Sequence, residues 1–254
     1  MPKISEIYQC LEHALPASLS CDWDNDGLMV CASPETEVKK ILFALDITPA
    51  VADYAAEIEA DLVISHHPLI FSGIRRMDGH DGTTRKVISL LRNNISAMSF
   101  HTRLDAVAGG VNDTLCRLLG IGNPEPFGEE GIGRIGSLSS PMSAEAFARL
   151  VKERLNAPAV FFGDAKKPVC RVAVLGGAGG DDIGAARQAG ADTYLSGTLG
   201  YHDMTDAPEA GMNLLEAGHF FTEQPVTATL EAWLLEIDPT LSVEQFYSNT
   251  VKTV

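Results

Sequence analysis

Residues 38–68, VKKILFALDITPAVADYAAEIEADLVISHHP, predict a strand, a helix and a second strand in direct succession. The apolar runs that begin at Ile41 and Leu62 are typical of buried strands, and Thr48 followed by Pro49 is a common helix start. A strand, a helix and a strand in this order indicate parallel pairing within an α/β sheet. The alternation continues along the chain, so an α/β protein is the predicted fold class.

A segment rich in glycine and acidic residues, residues 120–136, interrupts this alternation and predicts a domain junction. Strand and helix patterns resume after it, from SAEAFARLVKERL to DTYLSG, and they predict a second α/β domain. We therefore expect a first α/β domain of residues 1–124 and 217–254, and a second, smaller α/β domain of residues 125–216.

Composition and charge limit the classes of function. The chain has 254 residues, of which 45% are apolar and 21% are charged, as is ordinary for a globular protein. A net charge of −15 repels nucleic acid and argues against a nucleic-acid partner. No apolar segment reaches the length of about 20 residues that a membrane span needs, so no membrane partner is expected. Five cysteines without a C-x-x-C pair predict neither a disulfide framework nor a thiolate zinc site, and they favour a cytoplasmic location.

Polar side chains with metal-binding chemistry follow several predicted strands. His66 and His67 follow DLVIS, His101 and Asp105 follow ISAMSF, and His219 follows MNLLEAG. Ligands gather outside the carboxyl ends of strands in open α/β sheets. We therefore expect three strands to deliver these side chains to one edge.

Glu223 stands four residues after His219, in GHFFTEQP. Pro225 favours a helix that begins near Thr222, because proline is common in the first helical turn. We expect His219 on the loop before this helix and Glu223 at its N-terminus. Imidazole and carboxylate ligands without a thiolate suit Zn, Mn, Fe, Co or Ni, and bridging carboxylates are typical of two-metal sites. Taken singly, the same residues fit exposed loop histidines and a carboxylate that caps a helix.

Two other motifs are weaker. The glycine run at residues 176–180, GGAGG, lacks the G-K-[ST] ending of a phosphate loop and predicts a tight strand-to-helix turn with an aspartate cap. The segment DWDNDG, residues 22–27, begins like a calcium-binding loop, but Ser33 occupies the position of the essential glutamate. Neither motif is assigned a ligand.

Four segments taken in order resemble the GTP cyclohydrolase 1 type 2 homologue family, also called the Nif-three-like family. They are DWDNDGLMV, DLVISHHPLIF, SFHTRLDAVAGGVNDTL and LSGTLGYHDMTDAPEAGMNLLEAGHFFTE. The resemblance runs over nearly the whole chain and implies a compact form of two α/β domains, with mixed sheets flanked by helices. It also implies a homohexamer and two divalent transition-metal ions, whose ligands in this sequence are His66, His67, Asp105, His219 and Glu223.

The resulting hypothesis is a dinuclear-metal hydrolase that acts on a nucleotide-like or heterocyclic small molecule. In this hypothesis metal-bound water is the nucleophile and His101 is the general acid/base, since imidazole titrates near neutral pH. Arg75, Arg76 and Arg103 are the candidate substrate-positioning cations. A metal or metallocofactor chaperone without turnover is the alternative, and a structural metal that rigidifies a scaffold is a third.

Overall fold

The structure, a computed structural model, describes residues 1–252 and divides them into two units. Unit 1 comprises Met1–Leu104 and Thr227–Lys252, and unit 2 comprises Asp105–Val226. These divisions lie at 104/105 and 226/227, whereas the sequence predicts junctions at 124/125 and 216/217.

The helices are, in chain order, α1 (Ile4–Ala14), α2 (Pro49–Glu57), α3 (Gly82–Arg92), α4 (Thr102–Ala106), α5 (Val111–Leu119), α6 (Ala144–Arg154), α7 (Ile183–Gln188), α8 (Tyr201–Glu209), α9 (His219–Glu223) and α10 (Thr227–Ile237). Short 3-10 turns occupy Ala17–Leu19, Gly180–Asp182 and Gln224–Val226. Within residues 1–252, none of these helices combines the length and the apolarity that crossing a lipid bilayer requires.

The strands are, in chain order, β1 (Gly27–Val30), β2 (Lys40–Ala44), β3 (Leu62–Ser65), β4 (Ser96–Ser99), β5 (Ile121–Phe127), β6 (Gly133–Met142), β7 (Phe161–Gly163), β8 (Val169–Ala178), β9 (Thr193–Thr198), β10 (Asn213–Glu216) and β11 (Ser242–Phe246). They form two mixed sheets flanked by helices. The predicted fold class is therefore confirmed.

Unit 1 is built on a five-stranded sheet of order β1-β4-β3-β2-β11. Strands β4, β3, β2 and β11 run parallel, and β1 pairs antiparallel with β4. Ala44 pairs with Ser65, and Ser65 pairs with Ser99. Because these three residues end β2, β3 and β4 at one level, the residues that follow them emerge at one edge of the sheet.

Helices α2 and α3 cover one face of this sheet. Thr48 caps α2 by accepting a hydrogen bond from Val51 N at 3.2 Å, and Pro49 occupies the first turn, as the sequence predicts. Val51 of α2 and Leu90 of α3 are completely buried in the core formed with the strands. Each such aliphatic side chain contributes about 1.5–3 kcal/mol on burial, which holds the strand ends in place.

Unit 2 is built on a six-stranded sheet of order β5-β6-β8-β9-β10-β7. Its central strands β8, β9 and β10 are parallel, and the outer pairings are antiparallel. Leu115 of α5 and Phe147 of α6 are buried against Val172 of β8. Helix α5 packs on β5 and β8, and α9 packs on β8 and β9. This packing is why both helices belong to unit 2, although they lie outside residues 125–216.

Candidate metal centre

Two adjacent histidines leave β3 at its carboxyl end. Ser65, the last residue of β3, donates a hydrogen bond from Oγ to the carbonyl oxygen of His67 at 2.8 Å. The His67 amide donates to Leu45 O at 3.0 Å, so this segment stays attached to the chain that follows β2. Adjacent residues within a regular strand point to opposite faces, but beyond the strand end this constraint is relaxed. The centroids of the His66 and His67 rings lie 5.0 Å apart.

His101, which follows β4, lies beside this pair. Its ring centroid is 5.2 Å from that of His66 and 5.7 Å from that of His67. One ligand nitrogen from each histidine lies within 4.8 Å of the other two, which is a spacing that can hold a metal ion. His66 is buried, whereas His67 and His101 are partly exposed. The sequence thus correctly predicts that β3 and β4 deliver these three imidazoles to one edge.

Each of the three imidazoles donates its Nδ1–H to an oxygen atom of unit 1. The hydrogen bonds are His66 Nδ1 to Phe100 O (3.0 Å), His67 Nδ1 to Asp46 Oδ1 (2.7 Å) and His101 Nδ1 to Asp24 Oδ1 (2.9 Å). Carbonyl and carboxylate oxygens only accept, so in the neutral ring Nδ1 carries the proton and Nε2 carries the lone pair. This pairing is typical of metal-binding histidines, because it fixes the tautomer and the ring orientation.

Asp24 is one residue that sequence reasoning assigned no role. Its side chain is 0% exposed and also accepts hydrogen bonds from Thr102 N at 3.0 Å and Thr102 Oγ1 at 2.6 Å. Burial opposes ionisation of this carboxyl group, but the hydrogen bonds from His101 and Thr102 outweigh it and hold the pKa of Asp24 below its usual range. A charged Asp24 therefore orients His101.

Asp46 is a second residue that sequence reasoning missed. It follows Ala44, the last residue of β2, by two positions, just as His101 follows Ser99. The rule that identified the histidines, a polar residue directly after a buried strand, would also have identified Asp46 in ILFALD.

His219 and Glu223 lie together in unit 2, on helix α9. The expectation that His219 precedes the helix is wrong, because α9 begins at His219 and Pro225 belongs to the following 3-10 turn. Residues four apart share a helix face, and His219 Nε2 lies 3.2 Å from Glu223 Oε2. The expectation that His219 lies at the same sheet edge as His66 and His101 is also wrong. The strand that precedes His219 is β10, which belongs to the six-stranded sheet.

Three glycines let α9 approach the sheet of unit 2, and we call Gly176, Gly177 and Gly197 the glycine floor. A Cβ atom on Gly177 would overlap Glu223 Oε1, and one on Gly197 would lie 2.7 Å from His219 Cα. Gly176 and Gly177, the first two residues of the glycine run, therefore serve a close contact with α9. The predicted strand-to-helix turn is present, as the 3-10 turn Gly180–Asp182 between β8 and α7. The predicted aspartate cap is wrong, because the Asp182 side chain at the N-cap of α7 forms no capping hydrogen bond.

Asp105 lies in α4 and is 8% exposed. Its carbonyl oxygen is 3.4 Å from Asn112 Nδ2, a contact within unit 2. Its role as a ligand, like the roles of His219 and Glu223, stays a prediction. Histidine nitrogens and carboxylate oxygens without a thiolate fit a divalent transition-metal ion, so the residues that the structure describes are chemically compatible with such a cofactor.

Arg103 does not serve as a substrate-positioning cation. Its side chain is 3% exposed, and its guanidinium forms salt bridges with Asp26 and Glu12 at 2.5 Å. It also donates to Leu15 O at 2.8 Å. Arg103 therefore joins α4 to the N-terminal part of unit 1, and this expectation from the sequence is wrong.

The chain matches the model of one protein family over residues 2–253, and that family is described as Duf34/NIF3 (NGG1p interacting factor 3). The chain belongs to this family. A DUF34/NIF3 relative in Clostridium perfringens, named GTP cyclohydrolase 1 type 2 homolog, is 37% identical over 231 residues. The match covers 88% of this chain and 88% of the relative. The resemblance inferred from the four sequence segments is thus confirmed.

Solved structures resemble this DUF34/NIF3 chain over almost its whole length. Reduced HcgD from Methanocaldococcus jannaschii is 30% identical with a TM-score of 0.85, and the match covers 96% of this chain and 97% of that one. Staphylococcus aureus hypothetical protein SA1388 is 27% identical with a TM-score of 0.88, and the match covers 99% of both chains.

Proposed function

We propose that this DUF34/NIF3 protein is a metal-dependent hydrolase that holds two divalent transition-metal ions. The observation that supports it best is the group of three imidazoles in unit 1, each with its Nδ1–H held by an oxygen acceptor. The names of relatives as GTP cyclohydrolase 1 type 2 homolog favour a nucleotide-like or heterocyclic substrate. The proposed ligands are His66, His67, Asp105, His219 and Glu223.

Bound ions of this kind supply a Lewis acid and lower the pKa of water towards about 7, which is the chemistry that hydrolysis requires. In the proposal His101 accepts and returns a proton at Nε2, while Asp24 keeps the Nδ1–H in place and stabilises the charged ring. A side-chain exposure of 19% leaves His101 accessible to a substrate.

Metal content per chain tests the ligand assignment. We expect about two first-row transition ions per chain by elemental mass spectrometry of protein purified without chelators, as in dinuclear sites generally. The content should fall sharply in Asp105→Ala and Glu223→Ala. Glu209→Ala, which removes an exposed carboxylate at the end of α8, is the matched control and should keep its metal. Wild-type protein without metal, or ligand variants with unchanged content, would contradict the proposal.

Turnover separates a hydrolase from a metal chaperone. We expect metal-loaded wild-type protein to hydrolyse a member of a panel of nucleotides and heterocyclic amides. Asp24→Asn should lower that rate by about 10- to 100-fold while metal content is kept, because it removes the charge that supports protonated His101. Asp22→Asn, at a nearby exposed aspartate, is the control. Full metal loading without turnover on any member of the panel would favour the chaperone.

A further inference from the structure

Beside the three histidines, unit 1 contains a cavity of about 870 Å³. Its wall begins at Pro68, the residue after His67, and continues along the loop before α3 and the first turns of that helix. Three cationic side chains line it, those of Arg75, Arg76 and Lys86. A cavity of this volume accommodates a small-molecule ligand.

The cations of this cavity are available for an anion. Arg75 and Arg76 are exposed, and neither forms a salt bridge with a carboxylate among residues 1–252. Two acidic side chains also line the cavity, but both already accept hydrogen bonds from backbone amides: Asp78 from His80 N at 3.0 Å and Asp81 from Thr84 N at 2.9 Å. In a chain with a net charge of −15, this grouping of cations marks a local site for negative charge.

Lys86 connects the cavity with the histidine group. It is half-buried; burial lowers the pKa of Lys86, and the nearby charge of Asp46 acts in the opposite direction. Asp46 is the residue that accepts the Nδ1–H of His67 at 2.7 Å. An anion bound in the cavity would therefore lie next to the edge of the sheet that carries the histidines.

Two large aromatic rings stand exposed at the same edge. Trp23 is 57% exposed and Phe71, which lines the cavity, is 52% exposed. Their ring centroids are 6.3 Å apart, and the Trp23 ring stands 6.1 Å from the ring of His101 in an edge-to-face arrangement. Exposed aromatic faces bind planar heterocycles by stacking with little dependence on which heterocycle it is.

We propose that unit 1 binds a planar heterocycle that carries a phosphate group, as in a mononucleotide. The ring stacks on Trp23 and packs against the tilted ring of Phe71 beside His101, and the phosphate is bound by Arg75, Arg76 and Lys86. This inference names the substrate class of the proposed hydrolase and rests on that function for the chemistry. Binding itself requires only the cavity and the aromatic pair. A single-stranded nucleic acid offers the same two groups, but its many phosphates are repelled by the acidic chain.

Fluorescence of Trp23 provides the test, because the chain has two tryptophans and Trp233→Phe leaves Trp23 as the reporter. We expect guanosine monophosphate to quench this emission and to bind at least about tenfold more tightly than guanosine or inorganic phosphate. The double variant Arg75→Gln with Arg76→Gln should weaken binding of the monophosphate about 10- to 100-fold and leave guanosine binding unchanged. Arg85→Gln, at an exposed arginine of α3 that does not line the cavity, is the matched control.

Several outcomes would overturn this inference. The first two are unchanged affinity for the monophosphate in the double variant, and an Arg85→Gln variant that binds the monophosphate as weakly as the double variant does. The other two are inorganic phosphate that binds as tightly as the monophosphate, and an octathymidylate that binds more tightly than the monophosphate. Metal content of the same samples separates the two proposals. Two ions per chain without Trp23 quenching would reject the binding site alone, and quenching in protein without metal would reject the hydrolase alone while supporting the site.

Discussion

The three histidines of unit 1 depend on acceptors that lie far from them in the sequence. Asp24 precedes His101 by 77 positions and Asp46 precedes His67 by 21, yet each carboxylate holds an Nδ1–H. Such partners raise the basicity of a metal-binding ring and restrict its rotation. Asp46 therefore orients His67, a proposed metal ligand, and Asp24 orients His101, the proposed acid/base.

Asp46→Asn should weaken metal binding by about 10- to 100-fold, because a neutral amide oxygen is a poorer acceptor for His67 Nδ1–H. The fold should be retained, since the Asp46 side chain is 46% exposed. Competition with a coloured chelator measures the affinity. Asp53→Asn, an exposed aspartate on α2, controls for the loss of one negative charge. Equal affinity in the Asp46 variant and wild type would show that the hydrogen bond does not support the metal.

Asp182 in unit 2 gives a prediction about pH. Burial and the charges of Asp181 and Glu130 raise the pKa of Asp182 above its usual value of 3.8. A carboxyl with a raised folded-state pKa stabilises the fold while it is protonated, below pH 3.8, and this contribution is lost as the pH rises through the folded-state pKa. Ionised Asp182 therefore destabilises the protein at neutral pH.

We expect Asp182→Asn to raise the melting temperature at pH 7 by about 2 °C or more. The difference from wild type should disappear below pH 3.8, where both side chains are neutral. Melting curves across this pH range measure the effect, with Glu209→Gln as the control at an exposed carboxylate. A variant that is less stable than wild type at pH 7 would contradict the sign of this prediction.

At the scale of elements, α9 can pack closely on the sheet of unit 2 because the residues of the glycine floor have no side chains. The glycine floor allows a five-residue helix to lie directly against β8 and β9, where Thr222 Oγ1 accepts a hydrogen bond from Gly177 N at 3.0 Å. A helix this short has little stability of its own, so its structure depends on packing. The positions of His219 and Glu223 thus depend on glycines of β8 and β9.

Gly177→Ala should destabilise the protein by about 1–3 kcal/mol, because Gly177 has a φ of +71° and an added Cβ would overlap Glu223 Oε1. Metal content should fall with it if Glu223 is a ligand. Urea unfolding measures the stability. Gly184→Ala, in α7 with open space around its Cβ position, should be neutral or stabilising by up to about 1 kcal/mol. Equal stability of Gly177→Ala and wild type would rule out the steric role of this glycine.

At the scale of the whole molecule, the family resemblance predicts a homohexamer. We expect light scattering during gel filtration to give six times the chain mass of 27.2 kDa at micromolar concentration. Closed symmetric assemblies are the usual form of homo-oligomers and do not grow beyond a fixed size, so the mass should not rise when the concentration is increased tenfold. A mass of 27.2 kDa, or one that grows continuously with concentration, would contradict this prediction.

Local patterns in the sequence predict much of this protein. Apolar runs and helix starts predict β2, α2 and β3, and the placement of polar residues after strands predicts that His66, His67 and His101 meet. These inferences succeed because strand formation and helix capping are decided largely by residues that are close in the chain. The pairing of three parallel strands then follows from their order along it.

Other features depend on contacts between distant segments. The start of α9 at His219 follows from packing on the glycine floor, and the assignment of α5 and α9 to unit 2 follows from the strands that they cover. The carboxylate partners of His67, His101 and Arg103 are also distant in the sequence, and they come close only in the folded protein. Short-range patterns carry no information about these contacts, because side-chain hydrogen bonding and close packing act between surfaces that meet only once the sheets have formed.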